Sequence, residues 1–449
     1  MKKLAAVIFT LLFASTASAQ VITNPSTNAR MDGLGVANWQ IEDDFNIWIN
    51  PAQVTNYKNN IYGELGTEST SSPCSVSIPL GVGGCGAISG TGFNDSMNSG
   101  SQWGGMNMDV SYGSWGVYIG RPTNGSINGA SPLGLSSFNL SGPLGMMNQQ
   151  AAFGPSGTGS PLGNNRVDLF YGLHSATPIG LYLSYADQYQ KNTVGGVTSK
   201  DESTEWNLGA GGIFGGGMLD GTVDITVPSS KCSNAAPSCG NTYKSDAGPS
   251  FAILVRHHAN MGNSKLLTTA QILSIDASTK DSSGTGVKVD DTTLGWRLDT
   301  ALNSKPNPDT LVVAGIGLAG ANREAKVNQG GGKVTLDNLA IPVNIAVEHQ
   351  TFKVVKTRIG LSKPLYNSSN CKDSTPTGGG CPIFVGGLDK SNTVSDGAAT
   401  FSLGLGWAVM DNLMIDAVIN QDVIFSGTYA ISGVPETLSS KLSATYRFK

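Results

Sequence analysis

From about Asn60 to the carboxy terminus this chain alternates apolar and polar residues with a period of two. In residues 293–303, Leu294, Trp296, Leu298 and Leu302 interleave with Gly295, Arg297, Asp299 and Ala301. In 413–425, Leu413, Ile415, Ala417 and Ile419 oppose Met414, Asp416, Val418 and Asn420, and the same rhythm runs through 166–174, 206–214, 219–227, 341–350 and 401–410. Successive side chains of a strand point to opposite faces, so each segment sets an apolar face against lipid or core and a polar face against water.

The connections between these segments alternate in length. Short ones fall near Gly113 and at 177–179, 215–217, 259–264, 304–308, 350–351 and 410–412; long ones fall at 67–102, 121–165, 191–202, 228–247, 279–289, 320–332, 366–396 and 426–437. Short turns on one rim and long loops on the other mark a membrane barrel and not a sandwich. The reading is an all-β, transmembrane, antiparallel up-and-down β-barrel of 14–16 strands with an N-terminal plug or hatch. The tally itself is 16, with 266–277 and 353–365 the weakest in alternation.

Composition narrows the class. The 449 residues include 59 Gly and only 13 % charged residues, about half the share usual in soluble domains. A formal charge of -4 offers no basic surface for nucleic acid. Past the start of the chain no apolar run approaches the roughly 20 residues of a spanning helix.

The start reads as a secretory signal over 1–19: Lys2 and Lys3, an apolar stretch at 4–14, and the small-residue site Ala17-Ser18-Ala19 before Gln20. The expected organisation is therefore a signal peptide (1–19), a hatch (20–58) and an outer-membrane barrel (59–449). Export implies an oxidising compartment. Three local disulfides are expected, Cys74–Cys85, Cys232–Cys239 and Cys371–Cys381, each inside a long loop and each contributing up to ~3 kcal/mol by loop closure. No C-x-x-C or zinc spacing is present, so neither metal nor cofactor is expected.

With the apolar set facing lipid, the inward set contains Arg166, Asp168, Asp220, Asp224, Arg256, Arg297, Asp299, Glu348, Arg358, Asp416 and Arg447. A Lys or Arg on the lipid face would cost about 2–4 kcal/mol at the midplane. Inside, both signs can pair across strands and hold a plug, or select ions and solutes. The last strand, 441–449, alternates Leu442, Ala444, Tyr446 and Phe448 with Lys441, Ser443, Thr445, Arg447 and Lys449. It resembles the carboxy-terminal targeting strand of outer-membrane proteins, which implies Tyr446 and Phe448 as a signal to the barrel-assembly machinery. Here Lys449 follows the aromatic residue.

Ahead of the barrel, 21–58 does not alternate. It carries Ala29-Arg30-Met31-Asp32-Gly33-Leu34-Gly35-Val36-Ala37, then Glu42, Asp43 and Asp44, then Asn50-Pro51-Ala52. Pro51 fixes its own backbone angle and biases Asn50 away from helix, and Asp43 and Asp44 can face lumen arginines. This pattern resembles the N-terminal hatch of FadL-like and PorV-like outer-membrane transporters over about 40 residues. The resemblance implies a hatch folded inside the barrel and passage of small hydrophobic solutes past it. Those families have 14 strands, and no ligand pocket aligns residue by residue.

The search for catalytic groups is thin. His174, His257, His258 and His349 form no H-E-x-x-H, and G-x-S-x-G is absent. His257 and His258 would point to opposite faces of one strand. His174-Ser175 has no recognisable partner, and Gly81–Gly86 matches G-x-G-x-x-G without a βαβ context. The expectation is not an enzyme but an outer-membrane channel for small hydrophobic molecules, with lipid, solute and the assembly machinery as partners. The alternatives are an open general porin, suggested by the charged inner face, and a surface receptor or scaffold using the cysteine-closed loops.

Overall fold

In lipid a strand can pair its backbone polar groups only with neighbouring strands, so a spanning sheet must close on itself. The computed structural model describes residues 28–66, 103–121, 166–194, 197–233, 243–245, 248–276, 278–281, 288–328, 332–373, 390–395, 400–419 and 439–448. Its strands form such a ring: β1 (Asn60–Gly66), β2 (Trp103–Val110), β3 (Gly113–Ile119), β4 (Arg166–Leu173), β5 (Ile179–Val194), β6 (Val197–Phe214), β7 (Leu219–Ser233), β8 (Tyr243–Ser245), β9 (Ser250–Met261), β10 (Ser264–Asp276), β11 (Thr279–Asp281), β12 (Lys288–Asn307), β13 (Thr310–Val327), β14 (Lys333–Phe352), β15 (Val355–Asp373), β16 (Lys390–Ser395), β17 (Thr400–Met410), β18 (Leu413–Ile419) and β19 (Ser439–Arg447). All described pairings are antiparallel, and β19 returns to β1 with Arg447 opposite Asn60. Short β8, β11 and β16 continue the lines of β9, β10 and β17, so the described residues build a closed barrel of 16 strands.

The short connections share one rim: residues 111–112, 174–178, 215–218, 262–263, 308–309, 353–354 and 411–412. On the opposite rim the strands run further than the hydrophobic rhythm suggested. Much of the expected loop at 191–202 is the β5–β6 hairpin, with Val194 opposite Val197. The strands β12 and β14 each have 20 residues, about twice the roughly 9–11 that span a bilayer. Beyond the membrane both faces of a hairpin meet water, so the apolar contrast that marks a strand in sequence disappears. One consequence is that Cys232 lies within β7 and Cys371 within β15, not in loops. Cys74, Cys85, Cys239 and Cys381 lie outside the described residues, as does the expected signal peptide.

The outer face carries the apolar set. On β12 the exposed run is Leu294, Trp296, Leu298 and Leu302, with polar Asp290 and Thr292 above it. On β6, exposed Trp206 and Phe214 bound a stretch that includes Leu208. A belt of this height edged by aromatic residues fits the hydrocarbon layer and its two interfaces.

Candidate functional site: the filled lumen

The lumen holds the chain's own leading segment. Helix α1 (Asn28–Leu34) ends at Gly35, whose φ of 60° and N–H bond to the Asp32 carbonyl (3.1 Å) turn the chain. Three 3-10 turns follow, Asn38–Gln40, Asp44–Trp48 and Pro51–Thr55. Asp43 caps the second, accepting from the Phe45 N–H at 2.9 Å. Asn50 caps the third, accepting from the Ala52 N–H at 3.0 Å while its own amide donates to the Gly212 carbonyl at 3.0 Å. From Ala29 to Lys58 only Asn56 and Lys58 are exposed.

Close approach to the wall depends on glycine. A Cβ on Gly180 would lie 2.1 Å from the Ala52 nitrogen, and one on Gly360 would lie 1.8 Å from the Leu34 carbonyl oxygen. Asn50-Pro51-Ala52 thus fits where β5 and β6 have no side chain, a match between two distant segments that no local motif announces.

The segment joins the wall through three apolar clusters. Trp39 and Ile49 pack with Ala252, Leu254, Leu273, Ile275 and Ala321. Phe45, Ile47, Trp48, Val54 and Tyr57 pack with Tyr62, Trp103, Tyr118, Phe170 and Tyr182. Met31, Leu34, Val36 and Ile41 pack with Ala301, Leu311, Val313 and Ala346. Where the segment covers the wall, apolar side chains of the inner face pack against it among the charged ones. The inner wall changes character where the segment covers it.

Between these clusters run charge networks. Arg30 donates twice to Glu348, at 2.8 and 3.1 Å, and once to Asp43 at 3.1 Å. Glu348 also accepts from Arg358 at 2.6 Å, and Arg358 reaches Asp416 at 2.5 Å. On the far side Arg256 donates to Asp220 at 3.0 and 2.5 Å and to the Asn46 side chain at 3.1 Å, while Gln53 donates to Asp220 at 2.8 Å. Arg297 pairs with Asp299 at 2.9 Å and stacks 4.4 Å over the Trp39 ring. Arg166 and Arg121 both bind Asp168, and Arg121 stacks 4.3 Å over Trp48. Lys441 bonds Asp32 at 2.6 Å, and Lys265 bonds Glu42 at 2.5 Å alongside His258.

Of the inward charges expected from sequence, ten are buried and Arg447, at the rim, is half-buried. Asp43 takes its guanidinium from Arg30 in its own segment, and Asp44 is buried beside it. The sequence reading did not single out Arg30, Glu42, Gln53, Arg121, Lys265 or Lys441. Arg30 carried one available signal, a charge set between Ala29 and Met31 in a stretch rich in small and apolar residues. Burial would raise the Glu42 carboxyl, but the hydrogen bond and charge of His258, with Lys265, outweigh it and hold it at about 2.

His174 finds a serine and a carboxylate after all, though not Ser175. Its Nε2 lies 2.9 Å from Ser114 Oγ and 3.1 Å from Asp109 Oδ1. Both contacts use the same ring nitrogen, so the acid cannot orient a base toward the hydroxyl as a proton relay requires. Among the described residues no group of three or more His, Cys, Asp or Glu side chains could hold a metal ion.

No family model matches the chain, and no curated protein does. Among solved structures it is similar to the copper transporter OprC, at 9 % identity over 87 % of this chain and 80 % of that one, with a TM-score of 0.31. It is also similar to the ferripyoverdine receptor of the outer membrane of Pseudomonas aeruginosa (9 % identity, 57 % of this chain, 40 % of that one, TM-score 0.34). A third is the translocator domain of autotransporter NalP from Neisseria meningitidis (14 %, 61 % and 89 %, TM-score 0.25). The match spans less than half the length of several receptors, 39 % for the FpvAI–pyocin S2 complex and 44 % for FyuA from Yersinia pestis. Likenesses this distant say nothing of solute or mechanism. The closed ring of hydrogen bonds, the apolar outer belt and the short-turn rim make this chain an outer-membrane β-barrel.

Proposed function

We propose that the protein is an outer-membrane transport barrel in which 20–58 serves as an internal hatch and the solutes are small and hydrophobic. The burial of 29–55 against the inner wall carries this reading: a lumen filled by a separate segment is a passage that opens when the segment shifts. The aromatic cluster of Phe45, Trp48, Tyr62, Trp103, Tyr118, Phe170 and Tyr182 supports an apolar solute, since it is a greasy surface inside an otherwise polar wall. The FadL-like resemblance of Asp43, Asp44 and Asn50-Pro51-Ala52 points the same way. The lumen charges then act as clasps on the hatch, and Tyr446 with Phe448 as the assembly signal. An open general porin fits less well, because its charged lining would face water and not Trp39, Asn46 and Arg30.

Deleting 21–58 from the full chain and recording in planar bilayers tests the proposal. The intact protein should conduct little, and the deletion should give large, steady openings. Equal conductance in both would remove the hatch.

A further inference from the structure

Residues directly opposite each other on neighbouring strands share a face, and like charges there repel. On the long-hairpin side of the barrel lysine nevertheless meets lysine repeatedly. Lys326 of β13 stands opposite Lys333 of β14, and Lys280 of β11 stands opposite Lys288 of β12. The backbone register carries the second row on through Lys244 and Lys231, and it sets Lys372 of β15 opposite Lys390.

These rows face out of the barrel. Lys288 shares its face of β12 with exposed Leu294, Trp296 and Leu298, and Lys326 shares its face of β13 with exposed Ile316 and Leu318. On β15 the register skips Leu365, which moves the outward set from Ile359, Leu361 and Lys363 to Tyr366 and Lys372. The inward charges of the same hairpins close on themselves, with Arg323 donating to Asp291 at 2.9 and 2.6 Å. Outward, Lys280, Lys288, Lys326, Lys333, Lys363 and Lys372 meet only three carboxylates on the described residues of β11–β15, and each carboxylate is engaged. Asp290 is held by Lys288 at 2.8 Å, Glu324 by Lys333 at 2.6 Å and Asp337 by the Asn322 amide. Among the described residues Lys326 and Lys372 are exposed and form no ion pair.

This positive surface adjoins the apolar belt. Trp296, Gly320 and Leu339 form one transverse row, and Lys372 lies four residues beyond it, in the row of Thr292, Glu324 and Thr335, or roughly 13 Å along a tilted strand. A lysine stem can fold back from there toward the headgroup layer. Lys363 approaches from the other side, between exposed Leu361 and Leu365 in the belt itself, a place lysine tolerates when its stem reaches the interface. Lysines turned away from the lumen and toward the surrounding bilayer fit an anion that the bilayer carries.

We propose that the outward lysines of β11–β15 bind the phosphate groups of lipid headgroups packed around the long-hairpin side of the barrel. The site lies outside the lumen, so it stands apart from the hatch and from transport. The full-length protein in detergent micelles is titrated with lipid A, a bisphosphorylated glycolipid, and with a neutral galactolipid, and bound lipids are counted by native mass spectrometry. Lipid A should bind saturably and at least tenfold more tightly than the galactolipid. Lys326→Gln with Lys372→Gln should weaken lipid A at least tenfold, whereas Lys326→Arg with Lys372→Arg should keep it. Lys305→Gln with Lys353→Gln, exposed on the short-turn rim, should bind like the parent. Heat-modifiable migration on gels verifies that each variant is folded, and the galactolipid comparison on the parent decides the matter for any that is not. Equal binding of the two lipids, or a folded Lys326→Gln, Lys372→Gln variant that binds lipid A like the parent, would overturn the site. So would displacement of lipid A by inorganic phosphate at equal concentration, which would assign the surface to a free anion.

Discussion

Replacing Arg30 by Met keeps the length of an apolar stem but removes three charge-assisted hydrogen bonds, two to Glu348 and one to Asp43. Breaking one partner of a buried ion pair costs about 3–5 kcal/mol. Glu348 keeps Arg358 at 2.6 Å, and Asp43 keeps its bond from the Phe45 N–H, so neither carboxylate is orphaned. The lower end, about 3 kcal/mol, is therefore expected, or roughly a hundredfold change in the docking equilibrium at 1.4 kcal/mol per tenfold. Native-state hydrogen exchange measures it directly: amides in 28–48 should lose roughly a hundredfold in protection, whereas those of β6, on a different part of the ring from the β14 strand that carries Glu348, should keep theirs. Adding Glu348→Met removes the carboxylate that Arg30 served while Arg358 retains Asp416. The double variant should lose less than the sum of the singles by about 0.5–3 kcal/mol. Protection in 28–48 within threefold of the parent, or strict additivity, would refute the clasp.

Two further outcomes follow from the same contacts. Glu42 is held at about 2 against an ordinary value of 4.5, so its contribution is complete above 4.5 and is lost as pH falls from there toward 2; protection around 38–46 should decline across that window in the parent, and Glu42→Gln should remove that part of the decline. A decline equal in both would separate Glu42 from the effect. Gly180→Val places a branched side chain where a Cβ alone would sit 2.1 Å from the Ala52 nitrogen; it should raise bilayer conductance toward that of the deletion while the barrel still assembles, and a variant as closed as the parent would mean that the Asn50–Ala52 turn is not held against β5.

Much of the barrel was legible because its physics is local. Lipid on one face and a shielded interior on the other impose a two-residue period, and that period alone placed the strands, the short-turn rim and the inward positions of Arg166, Asp220, Arg297 and Asp416. It failed where its cause stops: above the bilayer both faces meet water, and the hairpins carrying Cys232 and Cys371 read as loops. The lumen was harder for a different reason. Arg30 and Glu348 are 318 residues apart, and Asn50 and Gly212 are 162 apart, so nothing near either partner in the chain specifies the other. Whether a buried charge meets a clasp, as Glu348 does, depends on which side chains the closing ring and the segment within it bring face to face. Hydrophobic contrast along the chain determined the cylinder; only three-dimensional closure decided what fills it and which charges are satisfied there.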